Sequence, residues 1–470
     1  MSQHNRILQK CRLPVWQWLA VFIFTLSGLA ADASTELPSL GENSAINIER
    51  ETRLGRSIYE KLLARGYIET DPLLDRYIND LGFRLLAGLD NRLRDYRFFI
   101  IRDDAVNAFA LPGGYIGVNR GLIRAARTQH QLASVLAHEI AHVRLRHGMD
   151  MMEKGKGLNT AAMLSMLAGL LLGTVDSEVG SAVLFGGIAG TQQAMINYTR
   201  DNEYEADRVG MQLMYSGQFD PNGMVEFFTI MTQLSGSSEI GNIEYLRTHP
   251  VGPNRIAEAA GRVDKNARGA NQVDDYPLFK DYLLFVSSDH LPVAGSQFLR
   301  ALASIQAGEY QRADALLGSL YSRDNENIWY SIAFAVNLEH LGREAEAELV
   351  YRRLLDIFPG DYILSMRLLG LLKLAGRYQS ALVIARDLEN EFPENQQVYF
   401  ELSEIYQVLN RPALQMMAEA EFHRITGNRL QAIKLYDQVL VSSDADHATV
   451  SKAREKRLLL LERKNIGSGY

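Results

Sequence analysis

Glycine recurs at a fixed interval of 34 residues in the C-terminal part of this chain, and that interval restricts the fold more tightly than any other feature. Gly308 sits in Ala-Gly-Glu-Tyr, Gly342 in Leu-Gly-Arg-Glu and Gly376 in Ala-Gly-Arg-Tyr; the next position in phase is Asn410, in Leu-Asn-Arg-Pro. Asn shares with Gly a tolerance for the left-handed backbone of a tight turn. Pro359 and Pro393 are also 34 residues apart, and Ala313, Ala347 and Ala381 keep the same register. This is the period and layout of tetratricopeptide repeats, each a pair of helices joined by a turn. A further unit around Gly427 is expected to break the phase, as terminal repeats do. Stacked helix pairs bury a continuous core and leave a concave groove. Residues 285–465 are therefore predicted to form an all-α solenoid whose groove holds a client or partner protein; a purely stabilising appendage is the plainer account.

The preceding part carries a short motif with chemistry in it. His138-Glu139-Ile140-Ala141-His142 reads His-Glu-x-x-His, the signature of zinc hydrolases. Two histidines four apart on a helix lie on one face, so both imidazoles reach one metal ion. Glu139 is turned by about 100° from His138, beside that ion. The flanking Gln131–Arg146 has apolar residues at helical spacing and neither Gly nor Pro, which supports the helix. A catalytic zinc takes three protein ligands and keeps a fourth position for water, so a distant carboxylate or histidine is needed. The stretch Tyr198–Arg208 (YTRDNEYEADR) is the best source. On a helix Glu203 and Asp207 share a face, whereas Glu205 is turned about 200° from Glu203 and cannot aim at the same ion. Asp201 and Glu205 read as a solvated face.

His-Glu-Ile-Ala-His followed by Glu-x-x-Ala-Asp at Glu203–Asp207 resembles the zinc metallopeptidases related to the CAAX prenyl proteases. The resemblance implies one Zn²⁺ per chain held by His138, His142 and Glu203, with Glu139 activating water. It implies that Asp207 orients a ligand histidine, a role carboxylates often take. It also matches His249, in Leu-Arg-Thr-His-Pro, and Arg255 to a His and Arg near the metal. Peptide attack builds an oxyanion that needs donors, which makes these two candidates for that task. The other reading of His249 is a latch that fills the fourth zinc position at rest. Asn107–Leu122 (NAFALPGGYIGVNRGL) reads as strand, Gly-Gly turn, strand. The resemblance makes it the edge beside the cleft, with Phe109, Ala110 and Leu111 as substrate-edge residues for an added strand; a plain hairpin is the competing account.

Residues 1–33 read as a cleaved signal peptide: Arg6, Lys10 and Arg12 precede the apolar Trp18–Leu26, and Ala31-Asp32-Ala33 ends it. An uncleaved anchor is the alternative. The single cysteine, Cys11, lies inside this segment, so the mature chain has neither a disulfide nor a thiol nucleophile. Removing the segment's three positive charges and one negative takes the net charge from −7 to −9. An acidic chain without a basic tract excludes nucleic-acid binding as its main task. Export and the lack of cysteine fit the periplasm. The predicted layout is a signal peptide at 1–33, a metallopeptidase domain at 34–275 and the repeats at 285–465. The apolar segments 161–173 and 180–190, within 158–195, fall between the second and third ligands; core hairpin, mobile lid and peripheral membrane contact are the three readings.

The expected fold is thus α+β and mainly helical: a zincin-like domain with a small edge-strand sheet, then the solenoid. This whole layout is similar to the periplasmic beta-barrel assembly-enhancing proteases of Gram-negative bacteria. The similarity implies an endopeptidase that degrades unfolded or stalled outer-membrane proteins and assists their assembly, its repeats engaging the barrel-assembly machinery. Any disulfide in the repeats of relatives has no counterpart here. Two other functions compete: a chaperone or scaffold with rare, latched proteolysis, and a protease on lipidated peptides, against which the lack of a multi-span membrane domain counts.

Overall fold

Helical periodicity on both sides of the Gly-Gly turn dictates a mostly helical chain with one small sheet. The computed structural model describes residues 44–87, 95–149, 192–235, 243–264, 274–292 and 294–466. Two units are distinguished, Met1–Arg50 and Glu51–Tyr470. Of the first, only the opening of helix α1 (Ser44–Ala64) is described; all the other described elements belong to the second. The signal peptide predicted at 1–33 and the apolar segments 161–173 and 180–190 lie outside the described residues. Among the described residues no helix is long and apolar enough to cross a membrane.

Helix α2 (Pro72–Leu86) is started by Asp71, whose side chain accepts from the amides of Leu73 and Leu74. This satisfies two of the donors that every helix start leaves open. Strands β1 (Arg97–Ile101), β2 (Ala108–Leu111) and β3 (Tyr115–Asn119) form a sheet in the order β1-β3-β2. The hairpin read from the sequence is present: β2 runs antiparallel to β3, with Ala108 opposite Val118 and Leu111 opposite Tyr115. Gly113 and Gly114 turn the chain there with φ of 77° and 99°, values that cost a side chain dearly. β1 pairs parallel to β3 and was not foreseen. Its sequence, RFFII, is buried at four of five positions, so it lacks the alternation that marks a half-exposed strand.

Helices α3 (Arg120–Ala125), α4 (Gln129–Arg144), α5 (Gln192–Ser216), α6 (Asn222–Ser235), α7 (Glu244–Thr248) and α8 (Pro253–Arg262) complete the first region. α4 carries the His-Glu-x-x-His motif. Thr128 caps it by accepting from Gln131 N. Every residue from Gln131 to Ala141 is buried, because α2, α5, α6 and the sheet all pack on it. A helix enclosed on all sides keeps little amphipathic contrast.

The segment expected to link two domains is itself a helix, α9 (Tyr276–Ser287). Tyr276 donates its hydroxyl to Ile123 O at 2.7 Å, and Lys280 donates to the carbonyls of Arg124 and Ala126 at 2.9 and 2.8 Å. Phe279 stacks on Tyr77 of α2 at 4.1 Å between centroids, and Tyr282 lies 5.4 Å from Trp329. One continuous apolar core therefore runs from the sheet into the repeats.

The repeats are α10–α11 (Gln297–Gln306, Tyr310–Arg323), α12–α13 (Ile328–His340, Glu344–Ile357), α14–α15 (Tyr362–Leu374, Tyr378–Glu391), α16–α17 (Gln396–Val408, Pro412–Ile425) and α18–α19 (Arg429–Leu440, His447–Ile466). Gly308, Gly342, Gly376 and Asn410 hold the turns inside pairs, all with positive φ, Asn410 at 53°. Ala313, Ala347 and Ala381 are fully buried. The phase does not break where expected. Gly427, with φ of 81°, lies 34 residues after Pro393 and occupies the turn between pairs instead. A second periodic signal accompanies it: Asn327, Asp361 and Asn395, again 34 apart, cap the first helix of each pair with their side chains, as Ser296 and Asn428 do at the ends.

Candidate metal centre

Three segments far apart in sequence meet on α4. His138 and His142 project from one face of it. α5 brings Glu203, Asp207 and Gly210 along a single stripe at i, i+4 and i+7. Gly210 permits the approach: a Cβ there would sit 3.2 Å from the backbone of Ala137 and His138. The turn after α7 supplies His249, whose amide donates to Tyr245 O at 2.8 Å, and α8 supplies Arg255.

The donor atoms of His138, His142, Glu203 and His249 all lie within 4.8 Å of one another. His138 Nε2 is 2.9 Å from His142 Nε2, 3.2 Å from His249 Nδ1 and 3.4 Å from Glu203 Oε2. His142 Nε2 is 3.3 Å from Glu203 Oε1, and His249 Nδ1 is 3.1 Å from the same oxygen. An ion with bonds of about 2.1 Å in a tetrahedron separates its donors by about 3.4 Å. The four donors thus surround one ion-sized point, and an imidazole and carboxylate set suits a borderline divalent metal.

Burial and charge set the protonation of this cluster. Burial opposes charge on His138, but hydrogen bonds to Asp207 and Glu203 outweigh it and hold the ring up at about 10. Burial, then the neighbouring His138 charge, push His142 down to about 3. Burial works to raise Glu203, yet His249 and the hydrogen bonds from the ligand histidines hold it well below the ordinary range. Glu139 is shifted up, chiefly by burial. Its Oε1 stands 3.5 Å from His249 Nε2 and takes no hydrogen bond among the described residues; nor does the Tyr245 hydroxyl, buried against the His249 ring at 4.9 Å. Buried polar atoms left unpaired are rare and mark a place for a further group.

Asp207 Oδ1 lies 3.0 Å from His138 Nδ1. Arg255 is fully engaged: Nε and Nη2 donate to the two oxygens of Asp207 at 2.7 and 2.8 Å, and Nη1 donates to Glu203 Oε2 and Pro250 O, each at 2.8 Å. Its ion pairs hold the two carboxylates rather than facing an open cleft. Phe109, Ala110 and Leu111 form β2 at one edge of the sheet, adjoining α4. The side chains of Phe109 and Leu111 pack away from the metal centre, with Phe99 and Tyr115. Glu205, read as solvated, is half-exposed but its Oε2 comes 3.4 Å from His147 Nε2. His147 itself was not singled out; its Nδ1 is 3.0 Å from His142 Nδ1. Its only sequence signal was a third histidine five residues past the motif, which helical spacing alone would place off that face.

A buried polar cluster of this kind in a helical domain with a three-stranded sheet defines a metallopeptidase. The model of Peptidase family M48 matches residues 72–263. The beta-barrel assembly-enhancing protease of Escherichia coli (strain K12) is 30% identical over 447 residues, covering 90% of this chain and 90% of its own. The putative beta-barrel assembly-enhancing protease of Vibrio cholerae is 29% identical over 435 residues, covering 88% of this chain and 90% of its own. The mitochondrial metalloendopeptidase OMA1 of Schizosaccharomyces pombe is 24% identical over 271 residues, 54% of this chain and 76% of its own. The chain belongs to peptidase family M48, together with the beta-barrel assembly-enhancing proteases. It is a metalloendopeptidase, and the family implies a divalent metal.

Proposed function

We propose that this chain is a zinc-dependent endopeptidase of the periplasm that degrades misfolded or stalled outer-membrane proteins and assists their assembly, its repeats holding the client or a component of the barrel-assembly machinery. The observation that carries the catalytic part is the meeting of His138, His142 and Glu203 around one point, beside the buried and unpaired Glu139 Oε1. Two imidazoles with one carboxylate are a common donor set for catalytic zinc. The names of the relatives support the outer-membrane role, and the signal-like start supports export.

When bound, zinc lowers the pKa of a water and polarises the scissile carbonyl. Glu139 takes the proton of the attacking water and delivers it to the leaving amine nitrogen. Its raised pKa serves both transfers, since a base poised nearer neutrality gives the proton up again. Asp207 accepts from His138 Nδ1 and so keeps Nε2 bare toward the ion. Arg255 neutralises Asp207 and Glu203 and fixes their rotamers. His249 acts as the latch: with Nδ1 among the donors it fills the fourth position at rest. Swung aside by substrate, its N–H is free to meet the oxyanion. The client lies along β2 by main-chain pairing, since the side chains of Phe109 and Leu111 are already packed.

The position of His249 also favours the second reading, a scaffold for assembly in which proteolysis is normally latched. Replacing Glu139 with Gln tests the enzyme: cleavage of an unfolded barrel protein disappears while zinc stays bound. Undiminished cleavage by that variant overturns the assignment. Full support of outer-membrane assembly by the same variant gives weight to the scaffold reading.

A further inference from the structure

The two histidines of the motif are held from behind in different ways. His138 Nδ1 faces a carboxylate backed by an arginine, whereas His142 Nδ1 faces another imidazole, that of His147, at 3.0 Å. The rings of His142 and His147 meet edge to face at 5.0 Å and 74°. His147 is 6% exposed, and its other nitrogen points to Glu205 Oε2 at 3.4 Å.

This contact is built by a tight backbone turn. α4 ends at Arg144, and Arg146 then adopts φ of 59°, a left-handed conformation that disfavours a side chain as large as Arg. The turn folds the chain back so that His147 reaches His142. It is pinned by an ion pair from Arg146 to the buried Glu51, with Nε and Nη2 at 2.9 and 2.7 Å from Oε1. Strained backbone held by a buried ion pair points to a required placement of the residue that follows.

The hydrogen-bond logic fixes both tautomers. Two Nδ1 atoms at 3.0 Å share one hydrogen. For His142 to offer a bare Nε2 to an ion, that hydrogen must sit on its own Nδ1, and His147 Nδ1 must accept it. The remaining proton of His147 is then on Nε2, where Glu205 accepts it. The chain Glu205, His147, His142 thus does for the second ligand what Asp207 does for the first.

We propose that His147 is a positioning residue of the metal centre: held by the turn at Arg146 and oriented by Glu205, it fixes His142 in the tautomer that leaves Nε2 free to bind metal. This rests on the metallopeptidase reading of the site.

The test uses the full-length protein and zinc alone, with affinity measured by competition against a chelator. The expected result is a ~10–100-fold weaker affinity for His147→Phe, the usual effect of losing a ligand's hydrogen-bond partner. His147→Gln, whose amide oxygen can accept the same hydrogen, should recover most of it. Unchanged affinity in His147→Phe overturns the proposal. Equal loss in both variants overturns it too, because packing rather than hydrogen bonding would then be at stake. A second readout needs no variant: nitrogen NMR of the zinc-loaded protein should show His142 protonated at Nδ1 and His147 at Nε2, and the opposite tautomer of either ring refutes the chain. If the unaltered protein binds no zinc, it is the reading of the site that fails.

Discussion

The metal centre and the repeats place their polar groups in opposite ways. In the centre, Glu139, Glu203, Asp207 and Arg255, with His138 and His249, are all buried within one cluster. Such burial is costly unless each charge is paired, and the partners come from α4, α5, α8 and the turn after α7. In the repeats, the recurring polar residues stay at the helix starts, where Asn327, Asp361 and Asn395 satisfy local amides. Removing one member of the first network leaves others uncompensated; removing one cap from the second frays one helix start. Damage should be all-or-none in the centre and graded in the repeats.

The sharpest way to break that contrast is to take the metal or a ligand away. Chelation, or Glu203→Gln, should lower peptidase activity by more than about a thousandfold, or ~4 kcal/mol of transition-state stabilisation. Zinc loading should also raise the melting temperature in a concentration-dependent way, by about 2.7 kcal/mol at a hundredfold excess over Kd. Thermal scans with and without chelator measure it, and an unchanged midpoint would count against a resident metal.

A smaller effect is expected from Asp207→Asn. Loss of the carboxylate behind His138 should weaken zinc by ~10–100-fold with the fold retained, read by chelator competition alongside far-ultraviolet circular dichroism.

Protons provide a third probe. In the metal-free site His138 is held up at about 10, above the usual imidazole value of about 6.5. A raised pKa of a basic group stabilises the fold fully below the unfolded value and ceases to do so as pH climbs through the folded one. The apo protein should therefore lose stability between about pH 6.5 and 10. Zinc must displace that proton, so its apparent affinity should rise about tenfold per pH unit across the same window. Affinity independent of pH would mean that His138 is neutral at rest.

The least severe changes belong to the repeats. Asn327→Ala and Asn395→Ala should each cost about 1 kcal/mol, and so nearly the same at either position. Asn410→Gly should be neutral or mildly stabilising, since Gly takes the left-handed turn without strain. Denaturant titrations give the order; a loss of several kcal/mol from one cap would show that the repeats are as interdependent as the centre.

Much of the repeat array was legible because each turn answers to its own residues. Left-handed φ at Asn410 followed from its place in the glycine series. The supposed break at Gly427 was a misreading of which turn that residue occupies, and comparison with Pro393 would have corrected it. β1 was hidden because burial on both faces erases alternation. At the centre, the motif and the spacing of Glu203 and Asp207 fixed which side chains share a helix face. The engagement of Arg255 by two carboxylates was not legible, nor was the contact of His147 with His142, since the first depends on how α8 packs on α5 and the second on a backbone reversal at Arg146.

The amino-acid sequence by itself determined the repeat period, the helix caps, the face of α4 that bears two imidazoles and the face of α5 that bears two carboxylates. These depend on neighbours within one turn of helix or one loop. Tertiary structure alone decided that those faces meet, that Gly210 lets them come close, and that His249 and His147 complete the surroundings of the two ring systems. Distances between segments far apart along the chain are set by the packing of whole helices, and no local rule of spacing encodes them.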